Sequence, residues 1–96
     1  MNARDVESAL LARCAAAARD VSQSAQDQRE ANVFRLAAMV VQSRLPYESS
    51  NLMRASDQYF AVHPNERVAP EEVVRSGWVS NLPRLRDMLS RLLQGR

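Results

Sequence analysis

Few residues in this sequence are of a type that can do chemistry, and their spacing argues against their doing it. His63 is the only histidine, in the stretch Ala61-Val62-His63-Pro64. General acid–base work needs a positioned partner, and the nearest acid along the chain is Glu66. At the end of an apolar helical segment, a lone histidine reads as a surface group facing the C-terminal end of the helix dipole. Cys14 is the only cysteine. Its neighbours Arg13 and Ala15–Ala18 offer little to lower its pKa, and it falls on an apolar stripe. It reads as a small buried hydrophobe, not a nucleophile. One Cys and one His cannot build a structural zinc site, and no acids have calcium-loop spacing, so no metal is expected. Glu71 and Glu72 are adjacent, and on a helix they point about 100° apart, as an acidic first turn and not as a catalytic pair. The sequence has neither a glycine-rich phosphate loop nor a G-x-S-x-G turn. These residues predict a protein that is not an enzyme, with no cofactor and no small-molecule substrate.

The elements that carry these residues read as helices. Between Ala31 and Leu45, apolar residues spread around most of a helical circumference, and only Arg35 and Gln42 make a clear polar stripe. A helix apolar nearly all round belongs at the centre of a bundle. It is too short and too charged to span a bilayer, which takes about 20 apolar residues. There is no isoleucine and no period-two alternation, so a sheet is not expected. The expected fold is all-α: one domain over residues 1–96, a small bundle of four or five helices around a central buried helix at about 28–45.

Before that helix, Asn2 reads as an N-cap with Asp5 in the first turn. Ala3, Val6, Leu10, Cys14, Ala17, Val21 and Ala25 then recur on one face. Alanine buries little area, so this thin stripe either packs closely on the central helix or receives another chain. Asp27 and Glu30 have capping-box spacing and favour a break near residues 23–27. The same polar run also suits the middle of one long helix, and a long N-terminal helical hairpin is the other arrangement it allows. Pro46 is expected to end the central helix and start a third, with Leu52, Met53, Ala55, Tyr59, Phe60 and Val62 inward and a stop at His63, before Pro64. Residues 64–69 connect to a short helix from Pro70 to Gly77, after which Trp78 tucks against the bundle. The last helix starts near Ser80 or Asn81 and is the most amphipathic. Leu82, Leu85, Met88, Leu89, Leu92 and Leu93 share one arc, Arg84, Asp87, Ser90, Arg91 and Gln94 lie opposite, and Gly95 closes it.

The formal charge is +2, with thirteen Arg and no Lys. Over the last sixteen residues, Arg84, Arg86, Arg91 and Arg96 against the single Asp87 make a mildly basic tail. A single cysteine excludes an intrachain disulfide, and the acid-bearing N-terminus does not read as a signal peptide, so a cytoplasmic location is expected. With no site for chemistry, the reading is a protein–protein interaction module: a small regulator, inhibitor or chaperone-type subunit, acting on a protein partner or on itself as a homodimer. Val6, Leu10, Cys14, Ala17 and Val21 on the first helix are the expected contact residues, with Arg84 and Arg91 forming a basic strip for an acidic partner. The alternative is a DNA-binding regulator using a helix-turn-helix-like segment in residues 70–96. Pro83, the two glutamates and the small net charge weigh against nucleic acid. No membrane partner is expected.

Overall fold

The computed structural model describes residues 3–94, and side chains from Val6 onward. The chain forms α1 (Ala3–Arg19), α2 (Gln28–Val41), α3 (Pro46–Val62), a 3-10 turn at Pro64–Glu66, α4 (Pro70–Arg75) and α5 (Leu82–Gln94). No strand occurs among the described residues, and none of their helices is long and apolar enough to cross a membrane. The architecture is the expected all-α bundle built around a central helix. Asn2, Gly95, Arg96 and the side chains of Ala3 and Asp5 lie outside the described residues.

α2 and α3 form an antiparallel hairpin whose register is visible in two hydrogen bonds. Ser49 Oγ donates to the Ala38 carbonyl at 2.6 Å, and Ser56 Oγ donates to the Ala31 carbonyl at 2.7 Å. The two hydroxyls are two turns apart on α3, and their acceptors are two turns apart on α2. Small residues at these positions, with Ala37 and Ala55 also fully buried, let the backbones approach closely. Phe34, Leu52, Val33 and Val41 fill the remaining space as fully buried side chains.

The other helices close over α2, which contacts all four. α2 stops at Val41, short of residue 45. Gln42, Ser43 and Arg44 are exposed, with nothing apolar to bury. Arg44 N and Leu45 N both reach the Val41 carbonyl, and Leu45, the residue before Pro46, leaves the helical region at φ −133° and ψ 66°. Burial around α2 is also incomplete: Met39 is 46% exposed. Val62, expected inward on α3, is exposed beside the helix end at His63.

The chain breaks between α1 and α2, as the capping signal suggested. α1 ends at Arg19 because Asp20 draws the next residues into a turn. Its carboxylate accepts from Ser22 N and Ser22 Oγ, and its carbonyl accepts from Gln23 N. The two bonds from Ser22 hold the Asp20 carboxyl below the usual carboxylate range, with the Gln23 side chain adding to them and burial opposing. Asp27 caps α2 by accepting from Glu30 N at 2.9 Å, and Glu30 reaches back to accept from Gln26 N at 3.0 Å.

Glu30 has a second partner. Arg13 of α1 grips its carboxylate with two hydrogen bonds, Nε to Oε2 at 2.9 Å and Nη2 to Oε1 at 3.0 Å. The same guanidinium donates to Gln23 Oε1 and to the Ser24 carbonyl, and lies 5.9 Å from the Phe34 ring centre. One arginine therefore fixes α1 to the loop after it and to the start of α2. Its hydrogen bond with Glu30 raises the Arg13 pKa above its ordinary value, with burial opposing. Replacing Glu30 with Ala removes the cap and leaves Arg13 half-buried without its partner, so urea unfolding should show a loss of about 2–4 kcal/mol. A loss below about 0.5 kcal/mol, the ordinary range for surface substitutions, would mean that this pair does not anchor α1.

Candidate protein-binding surface

The residues with chemical potential are placed apart from one another. His63 is exposed at the end of α3, where its ring stacks on Tyr59 at 4.3 Å between centroids. The Tyr59 hydroxyl donates to Glu66 in the 3-10 turn, Arg67 lies 4.9 Å from the Phe60 ring centre, and Asp57 is 3.9 Å from Arg67. This cluster closes the end of α3. Asn32 secures it from α2, donating to the Glu66 carbonyl and accepting from Val68 N. No group of three or more metal-ligating side chains gathers among the described residues.

The hydrogen bond to Glu66 pushes the Tyr59 phenol up to about 12, with desolvation and the Glu66 and Asp27 charges adding to it. The folded pKa thus lies above the unfolded value of about 10, so the stabilisation is complete below pH 10 and is lost as pH rises towards 12. In a Tyr47→Phe background, where Tyr59 is the only tyrosine, phenolate absorbance should rise near pH 12. Adding Glu66→Gln should bring the midpoint down. An unchanged midpoint would mean that Glu66 does not hold the proton.

Cys14 is completely buried in the core beside Leu10, Leu11, Ala17 and Ala18. Burial pushes its thiol up to about 12, the Glu30 charge adds to this, and Arg13 opposes it. The native protein should leave a thiol reagent such as DTNB unreacted at pH 8, and should release the full colour once unfolded. Fast reaction of the folded protein would show that the α1 packing opens.

The expected contact residues divide into two groups. Leu10, Cys14 and Ala17 are sealed inside the chain, because α1 turns its thin stripe onto α2 and α3. They are not available to a partner. Val6 is half-buried, beside a shallow depression it shares with Ala9, Arg13 and Arg29. Val21 does not continue the stripe: it follows the end of α1, in the turn set by Asp20, and is 57% exposed. Arg84 and Arg91 are both exposed on α5.

What surrounds Arg91 was not visible along the sequence. Glu7 on α1 accepts from Ser80 N at 2.7 Å, just before α5, and Arg19 at the end of α1 donates to the Leu92 carbonyl near the end of α5. Both pairs are 73 residues apart in the chain. α1 and α5 therefore run side by side in the same direction, tied at both ends. Between the ties lies an open, mainly apolar groove of about 370 Å³, lined by Ser8, Leu11 and Ala12 of α1 and by Met88, Arg91 and Leu92 of α5. Leu92 is 44% exposed, Ser8 and Ala12 are exposed, and Met88 is half-buried. Helical periodicity places Arg84 two turns before Arg91 on the same flank of α5. Glu7 is turned to Ser80, and Asp87 lies 3.5 Å from Arg86. No carboxylate lines the groove among the described side chains.

The segment read as a possible helix-turn-helix has a different geometry. α4 is a six-residue helix, and six residues, 76–81, separate it from α5. That connection is longer than the three- or four-residue turn of the motif. Glu72 on α4 pairs with Arg75. No family model, curated protein or solved structure matches the chain.

Proposed function

We propose that this chain is a non-enzymatic binding module that docks another protein on the surface formed by α1 and α5. The observation that carries the reading is the open apolar groove between these two parallel helices. Concave apolar surface with a few polar groups at its rim is what helix-in-groove recognition uses. The small side chains Ser8 and Ala12 let a partner backbone come close to α1, while Met88 and Leu92 offer adaptable apolar contact. Exposed apolar residues elsewhere, such as Tyr47 and Val62, need no such explanation, since single ones are ordinary on a protein surface. A small regulator, inhibitor or chaperone-type subunit, which acts by covering part of its partner, fits a module of this kind.

The groove can be probed with a photo-crosslinking amino acid, placed at Ala12 within it or at Ser50, exposed on α3. In the cell that makes the protein, irradiation should give a discrete heavier adduct from the Ala12 position and none from Ser50. Adducts from Ser50 alone, or from neither position, would overturn the assignment of this surface.

A further inference from the structure

Resting on that reading, we infer that the groove's partner is an amphipathic helix with acidic flanks, carrying carboxylates seven residues apart to meet Arg84 and Arg91. The inference comes from how charge is distributed around the groove. Arg91 forms part of its lining, and Arg84 stands two turns before it on the same flank of α5. Seven residues of helix correspond to about 10.5 Å of rise, so a second helix laid alongside meets both guanidiniums with acids at the same spacing. Arg13 is committed to Glu30 and Arg19 to the Leu92 carbonyl, whereas Arg84 and Arg91 are exposed on the groove flank. Guanidinium suits this role, since it presents a planar fork of donors that matches a carboxylate.

Three other occupants fit the surface less well. In a two-fold pairing of two copies, the same basic flank would face itself, and Asp87 is the only acid on α5 to offset it. A phosphate backbone would satisfy the arginines, yet would leave Leu92 and Met88 covered by nothing apolar. A lipid surface would need the apolar face of α5, but Leu85 and Leu89 on that face are already buried in the core.

The test uses the whole chain and a labelled helical peptide of about eighteen residues, with leucines at i, i+3, i+4 and i+7 flanked by glutamates seven apart. A second peptide carries lysine in place of each glutamate. The acidic peptide should bind and the basic one should not, and raising salt from about 50 to about 500 mM should weaken binding severalfold. Arg84→Glu combined with Arg91→Glu should weaken it by about tenfold or more. Arg44→Glu, an exposed reversal in the turn after α2, should leave it unchanged. Circular dichroism checks that each variant stays helical.

Equal affinity for the two peptides, or full affinity in the Arg84→Glu/Arg91→Glu variant, would overturn the inference. So would self-association abolished by Leu92→Glu, which assigns the groove to a second copy. Duplex DNA that displaces the acidic peptide and is itself lost in the double variant would also overturn it, in favour of nucleic acid. A persistent Ala12 adduct with no acidic-peptide binding would sink the acidic partner and leave the docking surface standing. Loss of the Ala12 adduct sinks the docking surface itself.

Discussion

The close approach of α2 and α3 is the constraint from which the rest of the molecule follows. Two serine hydroxyls on α3 reach carbonyls on α2, and each spans the contact only because alanine and serine hold the helices close together. A buried hydroxyl without a partner would be costly, so these bonds fix the register of the hairpin as well as its spacing. Asn51 repeats the pattern towards α1, donating to the Ala18 carbonyl at 2.7 Å. In a chain with few large side chains, buried polar groups aimed at backbone carbonyls supply specificity that bulky packing supplies elsewhere.

Once the hairpin is set, Arg13 and Glu30 decide where α1 lies. An ion pair of this kind adds little net stability compared with an apolar pair of the same shape, yet breaking it is expensive. Its geometry matters more here than its energy. The bidentate grip brings the middle of α1 against the start of α2, so the alanine stripe faces inward and Ser8 and Ala12 face outward. α5 then takes its place beside α1, tied by Glu7 at one end and Arg19 at the other. The groove between them is thus a consequence of contacts made elsewhere in the bundle.

Much of the fold was legible in the sequence, because apolar periodicity and proline placement are local signals. The central helix was evident from residues such as Phe34 and Val41, and the start of α3 from Pro46. The capping pair Asp27 and Glu30 marked the break before α2. Buried polar residues were not legible: Asn32, Ser49, Asn51 and Ser56 resemble surface residues until a carbonyl from another helix stands opposite. Val21 was misplaced because Asp20 and Ser22 compete with the helix through side-chain hydrogen bonds. Such competition is detectable in principle, since Asp-x-Ser favours this turn. For the candidate surface, Arg84 and Arg91 were readable from α5 alone. Their apolar companions on α1 were not, because contacts across 73 residues leave no local trace.

The groove differs from ordinary surface roughness in how α5 is seated. Leu85 and Leu89 point into the core and complete it, so α5 needs nothing further in order to fold against the bundle. Its apolar arc nevertheless extends through Met88 to Leu92, beyond what α1 covers. Ala12 is exposed on the opposite wall, and its small side chain leaves the groove open. The small side chain on one wall therefore leaves apolar area exposed on the other, and Arg91 is part of the lining beside it. An apolar floor beside Arg84 and Arg91, with Asp87 in the turn between them lying 3.5 Å from Arg86, is what the proposed acidic-flanked helix would complement through desolvation and Coulomb attraction.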